Sequence, residues 1–485
     1  MAESIKKNAF YNVLINIASV IFPLITAPYV SRVLEPDGIG LNNFANTYAG
    51  YFALVALLGI PTYGVREVSK LRDNKEALTR LVSQLMSIAA ITTFIVSVLY
   101  IITIALVGKL SDNYIVFLLA GFVIYLAPFK INWYYQGIEA FGFITIVTLV
   151  IRFISLCCLF IFVHEKNDLI IYIILNVTGG VLADIWNYTK LLRIGIKPRF
   201  TLKGLKQHIN PLLVLFASSI AVSIYTVLDT IMLGFIKDYE QVGYYTNAMH
   251  MSKLILFAVT SLSIVAIPRV SLYMKNSEYS KINALMNKSF SVVSFLAFPV
   301  AIGLMCVTPV FVPLFFGEKF LGAVIPLIIL SMLIIVIGLN NLTGVQILIG
   351  MGYDRLFLYS VLVGTITNFV MNCILIPIWG AVGASIASVI AEFLILLVTV
   401  YFVYRRTPIR IEKWKEMIKA LFGALTFVPI LLLLRNFLEG WILVFTFVLT
   451  GVIVYVLTEA ILRNDSLLFF KELLLSRIIN QRKKI

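Results

Sequence analysis

Charge is scarce in this chain: only 13% of its 485 residues are Asp, Glu, Lys or Arg, against roughly a quarter in an ordinary soluble domain. So small a polar complement excludes a water-soluble fold, because it cannot cover the 60% of residues that are hydrophobic. Histidine is nearly absent, and His164, His208 and His250 stand at no metal-ligand spacing. The four cysteines, Cys157, Cys158, Cys306 and Cys373, all fall inside apolar runs with no CxxC and no loop pair. They read as small core residues, so neither structural disulfides nor a metal site is expected. No GxxxxGK[ST] loop is present, which excludes ATP-driven transport by the chain itself. No GxSxG and no long polar loop offers a hydrolase or glycosyltransferase site, so no enzyme is expected and no catalytic residue is assigned. A TVGYG-type potassium filter is missing too. The polar start from Met1 to Lys7 is short, and the apolar run after it is too long for a secretory leader.

What is there is a series of long apolar runs, with a mean hydropathy of +0.98 over the chain. A helical membrane span needs about 20 mostly apolar residues. Fourteen spans are expected, at 8–31, 40–62, 81–107, 114–137, 140–163, 168–190, 208–235, 241–268, 289–313, 321–350, 355–377, 380–404, 416–435 and 441–461. Runs this long are helices, because lipid forces backbone groups to be satisfied within the segment. The fold class is therefore all-α, integral to the membrane.

The basic residues alternate from loop to loop. Of 39 Lys and Arg, 30 lie in loops on one side, 6 on the other, and only Lys130, Arg152 and Lys253 fall within spans. This positive-inside asymmetry places both termini in the cytoplasm and makes the span count even. It also accounts for the net charge of +15 without any nucleic-acid partner.

A basic stretch from Lys190 to His208 near the middle of the chain suggests six spans on either side and two more at the end. The expected divisions are 1–200 (spans one to six), 201–407 (spans seven to twelve), 408–464 (spans thirteen and fourteen) and 465–485, an amphipathic basic tail on the inner membrane surface. A shift of 203 residues lays Glu35–Pro36–Asp37–Gly38–Ile39–Gly40 on Asp238–Tyr239–Glu240–Gln241–Val242–Gly243, and Arg66 on Arg269. Six spans per repeat preserve orientation, so the halves are expected to be parallel repeats.

Ionisable groups inside spans cost at least about 2.5–3.5 kcal/mol each on insertion scales and usually face a cavity or a partner. The candidates are Lys130, Arg152 and Asp184 in the first half, and Asp229, Lys253 and Glu392 in the second. Thr246, His250 and Lys253 form one stripe on span eight, and Asn132 and Gln136 share a face of span four with Lys130 half a turn away. Arg152, near the centre of span five, is the costliest placement; an ion pair with Asp184 is the plainer reading, a cation open to a cavity the functional one. Arg32 lies at the outer end of span one, where snorkelling to the headgroups also explains it. Cations in a cavity point to an anionic group, since guanidinium grips phosphate oxygens through paired hydrogen bonds and Lys acts as a point charge.

Several stretches resemble bacterial polysaccharide flippases of the Wzx type. They are Pro28–Tyr29–Val30–Ser31–Arg32–Val33–Leu34, Leu58–Gly59–Ile60–Pro61–Thr62–Tyr63–Gly64–Val65–Arg66–Glu67 and Trp133–Tyr134–Tyr135–Gln136–Gly137–Ile138–Glu139. Arg152, and Asp229 with Gly243–Tyr244–Tyr245, fit the same pattern, and Gly380–Ala381–Val382–Gly383–Ala384–Ser385–Ile386–Ala387 resembles a packing helix of the wider multidrug/oligosaccharidyl-lipid/polysaccharide exporter superfamily. The resemblance implies two six-helix lobes in a V around a central cavity, with two added C-terminal helices, in a bacterial plasma membrane. It implies flipping of an undecaprenyl-pyrophosphate-linked oligosaccharide from the inner to the outer leaflet by alternating access, for surface polysaccharide synthesis. Substrate contacts are then expected from Arg152, Lys130, Lys253, Arg32, His250 and Gln136, and ion coupling from Asp229, Asp184 or Glu392. No cofactor is expected beyond a coupling H+ or Na+. The expected partners are the lipid-linked substrate, membrane lipids, a polysaccharide polymerase and glycosyltransferases, with the chain itself a monomer. A cation-coupled multidrug exporter of the same superfamily and a peptidoglycan-precursor flippase are the alternatives.

Overall fold

The computed structural model describes residues 5–260 and 266–467; the expected amphipathic tail beyond 467 lies outside the described residues. Among the described residues every regular element is helical. Ten helical stretches are long and apolar enough to cross a membrane. One of them, Val13–Leu71, holds two expected spans, because the helix Ile5–Leu57 is broken at Glu35 (φ 61, ψ 174). Spans four, seven and eight are the remaining helices: short pieces between Tyr114 and Gly137, Lys206–Ile236, and Tyr239–Thr260. The chain divides into two compact units, Met1–Gly243 and Tyr244–Ile485.

In lipid, apolar side chains gain little by leaving their solvent for one another, so helices associate through close packing at small residues and through hydrogen bonds. The first unit shows this at its signature stretches. Leu58 and Gly59 take positive φ (44° and 76°) and break span two; a Cβ on Gly59 would sit 2.9 Å from both Leu212 O and Phe216 N of span seven. The helix Ile60–Leu71 then resumes with Pro61 in its first turn, where a missing N–H costs nothing. Gly64 accepts the Trp133 ring against its Cα, and Gly137 packs on the Val68 side chain. Two stretches about 70 residues apart in sequence thus form one interface, buried with Tyr63, Leu85, Tyr134 and Tyr135.

A reciprocal contact joins the two stretches related by the 203-residue shift. A Cβ on Gly40 would meet the Tyr239 carbonyl and stand 2.8 Å from Gly243 N. A Cβ on Gly243 would meet the Pro36 carbonyl, 2.9 Å from its carbon. Pro36 and Tyr239 are equivalents, as are Gly40 and Gly243, so the contact is isologous. Around it Phe44 is fully buried against the bare face of Gly234 and edge-on to Phe235. The Lys109 ammonium caps the end of span seven by donating to Lys237 O, and Tyr239 Oη donates back to Lys109 O at 2.8 Å.

A second repeat lies in how each unit holds its basic linker. Arg199 and Thr201 N–H donate to Ser83 Oγ (3.0 Å) and Ser87 Oγ (2.9 Å) on the helix Lys75–Leu106. In the other unit, Arg410 and Glu412 N–H donate to Asn283 Oδ1 (2.9 Å) and Asn287 Oδ1 (2.7 Å) on Tyr279–Phe316. One helical turn of four residues rises about 6 Å, and two residues of extended chain span about 6.6 Å. Side chains four apart on a helix therefore meet amides two apart on an extended segment laid along it. Beyond the second linker, Lys413 Nζ reaches Asp465 at 2.6 Å, and that carboxylate holds the Lys413 ammonium above its usual range.

Candidate substrate site

Span four is not a continuous helix. It runs as Tyr114–Ala120 and Phe122–Tyr125, tightens into a 3-10 turn at Ala127–Phe129, loses helical geometry at Lys130 (ψ 77) and resumes as Asn132–Gly137. Pro128 is the local cause, since it has no N–H to donate and its ring clashes with a preceding carbonyl. This corrects the expectation that Lys130 lies half a turn from Asn132 and Gln136 on one helix: Lys130 is in the break itself. Asn132 and Gln136 do share a face of the short helix, half-buried and exposed respectively. Non-helical backbone at membrane depth is stable only where protein or a water-filled cavity satisfies it.

Span six supplies what faces the break. Asp184 and Asn187, three residues apart on Leu169–Arg193, are 8% and 2% exposed. Asn187 Nδ2 donates to Asn132 Oδ1 at 2.7 Å, and Tyr135 Oη donates to the Asn187 carbonyl at 2.6 Å. Lys130 and Asp184 are near enough to interact electrostatically, but no ion pair within 4 Å joins them among the described residues. Asp184 stands nine residues before Arg193, about 13 Å along the helix from the end that carries the basic loops. Asn187 was not anticipated from the sequence, although its i, i+3 spacing from Asp184 was the available signal.

Arg152 lies eleven residues into the helix Phe141–Phe162, about 16 Å from its start. It is half-buried and, among the described residues, makes neither a hydrogen bond nor an ion pair. The simple pairing of Arg152 with Asp184 is therefore absent. Arg32 is exposed near the strained Glu35, whose carboxylate pairs with Lys166 at 3.2 Å. Asp229 is buried on span seven beside Tyr51, whose hydroxyl donates to Ser223 O at 3.2 Å.

In the second unit, Thr246 is buried while His250 and Lys253 are exposed on the same helix, close enough to each other to repel when both are charged. Glu392 accepts from Asn340 Nδ2 at 2.8 Å, and Thr343 meets Thr399 at 2.8 Å along the same pair of helices. Asn340 ends the helix Met332–Asn340, which passes into a π-helix at Asn341–Ile349. Such wide turns are common at functional sites. Gln346, within it, is fully buried with both amide atoms unpaired. The structure thus draws together Lys130 with Asp184, and His250 with Lys253, and gives Glu392 an amide partner that hydropathy did not reveal.

Comparison with known proteins places this geometry. A "Putative O-antigen transporter" of Escherichia coli (strain K12) is 22% identical over 408 residues, covering 82% of this chain and 97% of that protein. A "Probable low-salt glycan biosynthesis flippase Agl15" of Haloferax volcanii is 24% identical over 274 residues, 54% of this chain and 56% of that one. The solved structure "Lipid II flippase MurJ, inward closed conformation" matches with a TM-score of 0.74 at 15% identity, covering 96% of this chain and 100% of that chain. An inward-facing multidrug resistance MATE family transporter of the MOP superfamily matches at 0.57 and 14% identity, over 79% and 93%. Likeness at such identity speaks for the fold alone.

The chain is an all-helical, multi-span membrane protein with polar groups set inside its spans. It belongs to the polysaccharide biosynthesis protein family, whose profile matches residues 5–274.

Proposed function

We propose that the protein flips an undecaprenyl-pyrophosphate-linked oligosaccharide repeat unit from the inner to the outer leaflet of a bacterial plasma membrane, for surface polysaccharide synthesis. Arg152 carries this reading. A guanidinium half-buried in mid-span, and left without a protein partner among the described residues, is a cation held ready for an anionic ligand. Pyrophosphate matches its fork of donors. Lys253, with His250 beside it, adds positive charge on span eight, and Arg32 meets the group near the exit. The basic loops face the cytoplasm, with both termini, and substrate enters from that side. Asp229, Asp184 or Glu392 binds the coupling H+ or Na+, and transport proceeds by alternating access. A polymerase and glycosyltransferases act on the same lipid-linked substrate.

The test is Arg152→Ala in cells whose surface polysaccharide depends on this chain. Polysaccharide is expected to be lost at normal membrane levels of the protein, with Arg152→Lys keeping part of it, because Lys retains the charge but not the paired geometry. Unchanged polysaccharide in R152A refutes the assignment. Drug efflux in vesicles that flip no lipid-linked oligosaccharide favours the multidrug alternative.

A further inference from the structure

The break in span four presents a different chemistry from Arg152. Its donors are the Lys130 ammonium and the Asn132 amide, whose oxygen is already taken by Asn187 Nδ2, leaving its NH2 to face elsewhere. Its acceptors are the Asp184 carboxylate and Asn187 Oδ1, and the latter is buried with no hydrogen-bond partner. An ionised pyrophosphate only accepts hydrogen bonds and is repelled by a carboxylate, so it cannot serve these acceptors. A hydroxyl both donates and accepts, and neighbouring hydroxyls on a sugar ring can bridge an ammonium or amide on one side and a carboxylate on the other. We propose that the unwound segment of span four, with Lys130, Asn132 and Asp184 facing it, is the subsite for the sugar hydroxyls of the transported lipid, and that Asn187 positions Asn132 within it.

This inference rests on the flippase reading and divides its labour: Arg152 grips the phosphates, while Lys130 serves the glycan. Tyr135 and Trp133 fix the short helix Asn132–Gly137 from behind, through Asn187 O and Gly64. Asn132 is thus held in place at the end of the unwound segment, beside the half-buried Lys130.

The experiment compares two lipids on the full chain in nanodiscs: lipid-linked oligosaccharides extracted from the cells that make the protein, and undecaprenyl pyrophosphate without sugar. Asn132→Ala and Asp184→Asn are each expected to weaken the glycan-bearing lipid about tenfold or more, as loss of one hydrogen bond to a charged or buried group does, with the sugar-free lipid unchanged. Asn187→Leu is expected to follow them, and Arg152→Gln to weaken both lipids alike. The ratio between lipids is insensitive to partial misfolding, which lowers both. Equal losses for both lipids in N132A and D184N, or no loss for either, overturn the subsite while leaving the flippase reading intact. A wild-type protein that binds neither lipid overturns the flippase reading and the subsite with it.

Discussion

Replacing Gly40 by Ala puts a methyl group 2.6 Å from the Tyr239 carbonyl carbon and 2.8 Å from Gly243 N. Carbon needs about 3.5–4.0 Å from its neighbours, and both obstacles are backbone atoms in a helix, which cannot rotate aside. The Tyr239 carbonyl oxygen lies closer still, so one helix must withdraw by about 1.5–2 Å. Overpacking on this scale falls at the upper end of about 1–3 kcal/mol, a factor of roughly 150 in an equilibrium. Gly243→Ala meets Pro36 in the same way, at 2.9 Å from its carbonyl carbon and 3.1 Å from its Cα. The two variants strike one contact from opposite sides. Each is expected to lower the apparent melting temperature of the purified protein by a similar amount, and the double variant by little more than either alone, because neighbours that share a contact are not additive. Thermal unfolding in detergent, followed by scanning fluorescence, measures all three. A neutral G40A beside a damaging G243A, or fully additive losses, refutes the reciprocal contact.

Asn287→Ala frees the Glu412 and Lys413 amides, and Ser83→Ala with Ser87→Ala frees those of Arg199 and Thr201. At about 0.5–1.5 kcal/mol per hydrogen bond, hydrogen exchange at these amides should accelerate roughly 2- to 10-fold, with the flanking helices unchanged; unaltered rates sink the clamp. Gly64→Val drives a side chain into the Trp133 ring, 2.6 Å from Cδ2 at the Cβ alone, and should lose about 1–3 kcal/mol. Adding Trp133→Leu should recover part of that loss in the same melting assay, and no recovery means that Gly64 acts otherwise. Glu392→Gln keeps an acceptor for Asn340 Nδ2 and should fold normally, whereas Glu392→Ala leaves that nitrogen only its bond to the residue-392 carbonyl (3.0 Å) and should cost about 0.5–1.5 kcal/mol. If Glu392 couples an ion, E392Q flips lipid in vesicles without responding to an imposed pH or Na+ gradient; an unchanged response excludes it.

Much of the fold was legible because lipid imposes a simple rule on sequence: about 20 apolar residues per helix. The expected spans therefore coincide with helices over most of the chain. The departures occur where a backbone geometry depends on one or two residues. The break at Glu35, which adopts positive φ immediately before Pro36, falls instead in the gap already expected between spans one and two. Pro128 unwinds span four within a run that averages as apolar. The candidate site shows the same division. Lys130, Arg152, Asp184 and Glu392 announce themselves as charges in apolar runs, but Asn187 and Asn340 are uncharged and stand out only once their partners are seen.

By itself the sequence determined the membrane class, the span series and the asymmetry of basic loops, because each depends on composition along one dimension. Its shift of 203 residues also named the glycines and carbonyls that turn out to touch. Only the tertiary structure decided which polar groups meet. It left Arg152 without Asp184, set Asp184 near Lys130, and joined Asn187 to Asn132. Pairing between helices depends on the rotation of each helix about its axis and on where a helix breaks. Both are set by close packing of small residues such as Gly64 against Trp133, and hydropathy carries no record of either.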